Sequence, residues 1–182
     1  LSRGLGDVYK RQEWYHLALT YDIATKTIIF YVNGKEQSRS TNYGNSEFSE
    51  IKLANRKQES FPGASDGDWL FYIGRSYNDR WLIDRQLNGN VCEARIWDVA
   101  RTQQEIWKNM YDIEDPENEA HLAAYWKFNE GSGNDIKDYS KYHNDAHIVR
   151  YWKDFNSKEE YDVKNEELWP SGIEVPQVNR ED

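Results

Sequence analysis

The chain has 182 residues, a length that suits one domain or one domain with an appendage. Aromatic residues make up 15% of it, including 8 Trp and 13 Tyr, which is enough large apolar material for a core and excludes a mostly disordered chain. The formal net charge of −9 repels phosphate backbones, so we expect no nucleic-acid partner. No stretch reaches the roughly 18 apolar residues of a transmembrane segment.

The first twelve residues differ in character from those that follow. Residues 2–12 (SRGLGDVYKRQ) match the in-frame translation of a transposase sequencing adaptor, and no apolar segment of a secretory signal follows their charges. We therefore expect 1–12 to be an adaptor artefact. The natural chain is then expected to extend further upstream of Glu13, with early strands and the export signal in that part.

From Glu13 the apolar pattern mostly has a period of two, which predicts β-strands. Residues 14–21 place alternate side chains on one face, and the β-rich run 27–32 ends in Asn33-Gly34, the dipeptide typical of a tight hairpin turn. Long polar loops are predicted around the middle strands. The further predicted strands are 35–40, 51–54, 69–73, 87–99, 122–128 and 146–151.

One short helix is predicted near 102–112. Thr102 is a suitable N-cap and Glu105 stands at the capping-box position, while Ile106, Met110 and Ile113 form an apolar stripe. Strands separated by long loops, with one late helix, predict an all-β fold: an antiparallel β-sandwich. We assign 13–152 to this sandwich, and 153–182 to a charged extension that packs on the domain and then becomes disordered.

Four segments in a fixed order carry a family pattern. They are 14–22 (WYHLALTYD), 30–35 (FYVNGK), 72–75 (YIGR) with 87–101 (LNGNVCEARIWDVAR), and 125–133 (YWKFNEGSG) with 138–145 (DYSKYHND). The series resembles the LamG-like jelly roll of the concanavalin A-like lectin/glucanase superfamily. The resemblance implies a jelly-roll sandwich that binds glycans, adheres to other proteins or acts as a scaffold, here without its early strands.

Glucanases of this fold resemble one another in an acidic E-x-D-x-x-E strand motif. In the corresponding stretch, Glu93 and Asp98 are five residues apart and so lie on opposite faces of a strand, and Arg95 stands where the central carboxylate would be. Glu93 and Arg95 share a face and are expected to form ion pairs across strands. We therefore predict no catalytic residues, and the scattered histidines have no spacing typical of a zinc site.

A glycan ligand is expected to stack on aromatic side chains of the loops, with amides and carboxylates bonding to its hydroxyls. The alternative is that the same aromatic residues anchor their loops on the core. The predicted ligand-binding residues are Tyr43, Trp69, Tyr77, Asn78, Asp79 and Trp81.

A calcium site is a second expectation, because loop carboxylates and amides supply the oxygen ligands that Ca²⁺ prefers. The alternative is that these are solvated turn residues. The candidate metal ligands are Asp66 and Asp68 in one loop, and Asp138 and Asn144 in the 138–145 segment.

The sequence thus predicts a non-catalytic carbohydrate-binding or adhesion module of a larger bacterial surface or secreted protein. Its expected ligand is a glycan or a surface protein, and it is expected to be joined to other domains and to lie outside the cell. Two alternatives stay open: a structural spacer or protein-docking domain, and part of a glycoside hydrolase.

Overall fold

The structure is a computed structural model that describes residues 13–41, 73–74, 87, 89–148, 151–153, 160–162 and 168–176. Its first sheet contains three antiparallel strands in the order β1 (Leu17–Asp22), β2 (Thr27–Val32) and β3 (Lys35–Ser40). The predicted Asn33-Gly34 turn joins β2 to β3, and both residues have positive φ angles, 49° and 69°. This is the left-handed geometry that a two-residue hairpin turn requires.

The first sheet has a buried face and a more open face. Leu17 and Leu19 share one face of β1, as the period of two predicts, but they are 56% and 68% exposed. The opposite face carries the buried Thr20 of β1 and the buried Tyr31 of β2. The core side of this sheet is therefore the more polar one, which the hydrophobic pattern alone does not indicate.

The second part of the fold contains β4 (Ala94–Trp97), α1 (Gln103–Lys108) and β5 (Leu122–Trp126). Strands β4 and β5 pair antiparallel, with an irregularity between Ile96 and Trp97. Four of the five residues of β5 are buried, so this strand is at the centre of the described core. Tyr125 packs with Ile113 and Leu122, and Trp126 with Ala124 and Ile136.

Helix α1 is shorter than predicted. Its N-terminus has the predicted capping box: Thr102 accepts from the Glu105 N–H, and the Glu105 side chain accepts from the Thr102 N–H. The helix ends at Lys108, and Met110 and Ile113 are buried after its end rather than on it. No helix in the described ranges is long and apolar enough to cross a membrane.

Two further strand pairs and a segment that contacts the domain follow β5. Strands β6 (Asp135–Ile136) and β7 (Ala146–His147) pair antiparallel, as do β8 (Tyr151–Lys153) and β9 (Glu160–Asp162). Residues 168–176 return to the domain, because the indole N–H of Trp169 donates to the Gly133 carbonyl at 3.0 Å. The described fold is thus built of antiparallel strands with one short helix, which confirms the predicted fold class.

Candidate functional site

The Arg95 cluster is a set of interacting polar side chains on β4, β5 and the segments beside them, formed by Glu93, Arg95, Asp112, Tyr125 and Lys127. The Arg95 guanidinium lies 2.5 Å from the Glu93 carboxylate and 3.4 Å from the Tyr125 hydroxyl. The Tyr125 hydroxyl also donates to Glu93, and Lys127 lies 3.4 Å from Asp112. Glu93 and Arg95 therefore share a face as predicted, but they pair with each other along the chain.

Burial and charge set the protonation of this cluster. Burial, and the hydrogen bond to Glu93, raise the pKa of the Tyr125 hydroxyl far above its ordinary value. Burial alone would raise the pKa of Asp112, but the Lys127 charge and hydrogen bonds from Ile113, Lys127 and Tyr125 outweigh it, so the pKa lies below its ordinary value. At neutral pH the cluster thus contains a neutral Tyr125 phenol and an ionised Asp112 carboxylate.

His16 lies just before β1 and interacts electrostatically with the Arg95 cluster. Its Nδ1 is buried, and that atom has no hydrogen-bond partner among the residues that the structure describes. Burial and the nearby Arg95 charge lower the pKa of the ring. The main chain of His16 is anchored instead, because its N–H donates to the Asn33 side chain at 2.9 Å and its carbonyl accepts from the Asn33 N–H at 2.8 Å.

The two carboxylates considered for catalysis lie in different environments. Glu93 is held by Arg95 and Tyr125, whereas Asp98 is exposed and lies 2.8 Å from the His121 ring. A glycosidase needs one carboxylate free to attack or to activate water and a second free to donate a proton. The geometry of Glu93 and Asp98 does not supply that arrangement.

Cys92, the single cysteine of the chain, is half-buried and directly precedes Glu93 of the Arg95 cluster. Burial and the neighbouring Glu93 carboxylate raise the pKa of its thiol. A thiol with a raised pKa is mostly protonated at neutral pH and is therefore a weak nucleophile. The structure gives Cys92 the character of a packed thiol.

Asp138 is fully buried and organises the 138–145 loop. One carboxylate oxygen accepts from the N–H groups of Tyr125 and Ser140, and the other accepts from the Ser140 hydroxyl and the Asn144 N–H, all at 2.8 Å. The Asp145 side chain closes the loop by accepting from the Asp138 N–H at 2.8 Å. These bonds hold the loop against β5.

Asn144, the other described candidate for calcium, takes part in the loop through its main chain. Its carbonyl accepts from the Trp126 indole at 3.0 Å, while its N–H donates to Asp138. Within the described part of the chain, no group of three or more His, Cys, Asp or Glu residues could hold a metal ion. Asp66 and Asp68 lie outside the described residues, so the calcium site stays a prediction.

The predicted ligand-binding side chains also lie outside the described residues, and their role stays a prediction. They are Tyr43, Trp69, Tyr77, Asn78, Asp79 and Trp81.

The described surface carries large aromatic residues that were not among those predictions. Trp107 is 56% exposed and Tyr142 is 52% exposed. For Trp107 the sequence holds a usable signal, because the residue follows Ile106 and lies off the apolar stripe of α1. A large aromatic residue on the polar side of a short amphipathic helix is a candidate contact for a ligand.

Within the described ranges, the antiparallel strand pairing, the buried β5 and one capped helix define a mainly antiparallel β-protein. The chain belongs to the concanavalin A-like lectin/glucanases superfamily, because a laminin G family model of that superfamily matches residues 5–107. The match includes β1–β4 and ends within α1. It begins inside the stretch predicted to be adaptor-encoded, and the origin of that stretch stays a prediction.

A solved structure is also similar to the chain. It is the crystal structure of a candidate carbohydrate binding protein from Bacteroides ovatus, with 34% sequence identity and a TM-score of 0.50. The similarity covers 69% of this chain and 32% of the other, so the chain spans about a third of the length of that protein. None of the curated proteins compared with the chain matches it.

Proposed function

We propose that the chain is a non-catalytic carbohydrate-binding module of a larger bacterial protein that acts at the cell surface or outside the cell. The observation that carries the proposal is the 34% identity, over 69% of the chain, to a candidate carbohydrate binding protein. Membership of a superfamily of lectins and glucanases supports it. The ligand in this proposal is a glycan, free or attached to a surface protein.

The proposed ligand contacts are the aromatic and polar loop residues Tyr43, Trp69, Tyr77, Asn78, Asp79 and Trp81. Indole and phenol rings offer flat apolar faces to the C–H groups of a pyranose, and amide and carboxylate groups bond to its hydroxyls. Loops on a rigid sandwich scaffold often carry binding residues, because loop sequences change without loss of the core.

The environment of Glu93 supports binding without hydrolysis. Its carboxylate accepts from Arg95 and Tyr125, and the paired Arg95 side chain is only 7% exposed. Freeing this carboxylate for chemistry would leave a buried guanidinium without its partner, which costs several kcal/mol. A general acid or nucleophile is not expected from this position.

Screening the full chain on an array of polysaccharides and oligosaccharides tests the proposal. We expect at least one polysaccharide to bind, and we expect affinity to fall in the double variant Trp69→Ala with Trp81→Ala. Circular dichroism and thermal unfolding of the variant show whether its fold is retained. The absence of binding to every glycan would refute carbohydrate binding.

Two other functions give different results in the same experiments. A spacer or docking domain predicts that the folded double variant binds every array glycan as the wild type does. A glycoside hydrolase predicts release of a labelled product from a polysaccharide substrate, which the proposed module does not produce.

A further inference from the structure

Trp107 of α1 is anchored along one edge of its indole ring. Its N–H donates to the Gly34 carbonyl at 3.1 Å. A Cβ placed on Gly34 would lie 2.4 Å from the indole Nε1 and 2.6 Å from Cδ1, so the pyrrole edge of the ring packs directly on the glycine. More than half of the residue is nevertheless exposed. The indole is therefore fixed in orientation while much of it faces solvent.

Apart from its contact with Gly34, Trp107 contributes little to the buried part of the helix. Ile106 and Met110 supply the buried apolar contacts, and each is only 7% exposed. The Gly34 carbonyl already accepts from the Gln103 side chain at 2.8 Å, so it does not depend on the indole for a partner. An exposed indole also costs free energy, because its apolar surface stays in water.

Two side-chain amides flank the same glycine. Asn33 uses its Oδ1 to accept from the His16 N–H, and Gln103 uses its Nε2 to donate to Gly34. Among the described residues, neither Asn33 Nδ2 nor Gln103 Oε1 has a hydrogen-bond partner. Gln103 Oε1 therefore belongs to an amide that shares the Gly34 carbonyl with the indole, and Asn33 Nδ2 belongs to the residue that precedes this glycine.

We propose that Trp107 is a stacking platform for a pyranose ring, with Asn33 and Gln103 as hydrogen-bonding partners of the sugar hydroxyls. The platform is separate in sequence from the loop residues proposed above, and it rests on the proposed carbohydrate-binding function. A ring already fixed by Gly34 loses little side-chain entropy when a ligand binds, so more of the stacking energy appears as affinity. The negative face of the indole suits the electropositive C–H groups of a sugar.

The test uses the full chain with four soluble probes: cellotetraose, maltotetraose, mannotetraose and xylotetraose. Affinity is measured by isothermal titration calorimetry, and the indole N–H resonances are followed by NMR during the same titrations. We expect at least one probe to bind and to shift the resonance that disappears in Trp107→Phe. Trp107→Ala is expected to lose about tenfold or more in affinity, and Trp107→Phe to lose less.

Matched controls separate the platform from a general effect on the surface. Gln103→Ala is expected to weaken binding severalfold, whereas Gln104→Ala, the next residue on the helix, is expected to leave it unchanged. Tyr142→Ala removes an aromatic residue that is exposed to a similar degree, 52%, and is also expected to leave affinity unchanged. Thermal unfolding of each variant shows that the comparison is made between folded proteins.

The outcomes distinguish the two proposals. If a probe binds the wild type, and folded Trp107→Ala binds it equally well with no shift of the indole resonance, the platform is refuted and carbohydrate binding stands. If none of these probes binds but the array identifies a polysaccharide, the same variants are compared on that polysaccharide, and equal affinity again refutes the platform. If no glycan binds at all, both proposals fail.

Discussion

The Arg95 guanidinium lies 2.5 Å from the Glu93 carboxylate, and the two side chains are 7% and 22% exposed. Arg95 also donates to the Met110 carbonyl at 3.2 Å and packs over the Tyr125 ring, with 4.7 Å between the guanidinium carbon and the ring centroid. The ion pair therefore connects β4, β5 and the segment after α1. Its charges are largely withdrawn from water, so each depends on the other.

Replacing Arg95 with Met is expected to destabilise the fold. The substitution keeps most of the apolar volume but leaves the Glu93 carboxylate without its buried partner, which costs about 3 kcal/mol or more. Urea unfolding of wild type and variant measures the difference in the free energy of unfolding. The control is Arg39→Met, because the Arg39–Glu36 pair is exposed and its removal is expected to have no measurable effect. Equal stability of the two variants would contradict a structural role for the buried pair.

His16 makes the stability of the fold depend on pH. Its pKa in the folded chain lies below the ordinary 6.5, because of burial and then of Arg95. As pH falls, the unfolded chain therefore takes up the proton first. The contribution of His16 is complete above pH 6.5 and is lost as pH falls from that value through the lower pKa of the folded state.

The variant His16→Gln isolates this contribution, because its amide does not titrate. Urea unfolding is measured on both sides of pH 6.5. We expect the free energy of unfolding to fall less steeply with acidification in His16→Gln than in the wild type. His143→Gln, which replaces an exposed histidine, is the control and is expected to keep the wild-type slope. The same slope in wild type and His16→Gln would mean that other groups carry the acid sensitivity.

Asp138→Asn is expected to loosen the 138–145 loop. The two carboxylate oxygens accept two hydrogen bonds each. In Asp138→Asn one oxygen is replaced by an NH₂ group, which cannot accept, so two of the four donor groups lose their acceptor. Unsatisfied buried polar groups cost roughly 1–3 kcal/mol each, so we expect a loss of about 3 kcal/mol in urea unfolding. Hydrogen exchange at the amides of Tyr125, Ser140 and Asn144 should accelerate. Asp135→Asn, at a side chain that is 92% exposed, is the control.

Calcium addition gives the Asp138 comparison a second readout. A calcium site that uses this carboxylate must displace donors from it, so binding there predicts a rise in Tm that disappears in Asp138→Asn. A rise that survives Asp138→Asn but disappears in Asp66→Asn with Asp68→Asn would restrict the predicted site to those two residues. If Asp138 has only a structural role, the Tm difference between wild type and Asp138→Asn is the same in the presence of calcium as in the presence of a chelator.

Gly34 and Gly131 form a matched pair for the anchoring of Trp107. Both have positive φ, 69° and 72°, but a Cβ on Gly34 meets the indole, whereas one on Gly131 meets nothing within 4 Å. Gly131→Ala is therefore expected to cost only the backbone strain, about 1 kcal/mol, and Gly34→Ala about 2–4 kcal/mol because the helix must also move. Thermal or urea unfolding measures both. An equal loss in the free energy of unfolding in Gly34→Ala and Gly131→Ala would show that the indole moves aside without an energetic cost.

The sequence was most informative where local chemistry decides the structure. The Asn33-Gly34 turn and the Thr102–Glu105 capping box follow from side chains that bond within a few residues, and both are confirmed. The end of α1 was placed wrongly, because Met110 and Ile113 keep a helical spacing while the chain has already left the helix. Burial of the apolar residues was predicted correctly there, but their secondary structure was not.

Long-range relationships could not be read from the sequence in the same way. Glu93 and Arg95 were expected to share a face, but their coupling to Tyr125 depends on a residue 32 positions away from Glu93. Likewise Asp138, chosen as an oxygen ligand, bonds to the main chain of β5. The sequence also did not show whether the face of Leu17 and Leu19 is buried. An alternating apolar pattern shows which residues share a face of the strand, but not which face the rest of the protein covers.

The segment 168–176 touches the domain at two separated points. Trp169 donates to Gly133, and the indole of Trp14, near the start of the described chain, donates to the Glu174 carbonyl at 2.6 Å. Trp14 and Glu174 are therefore neighbours in space although 160 positions of the chain separate them. Loss of either indole hydrogen bond would free this segment from the domain at one point and leave it tethered at the other.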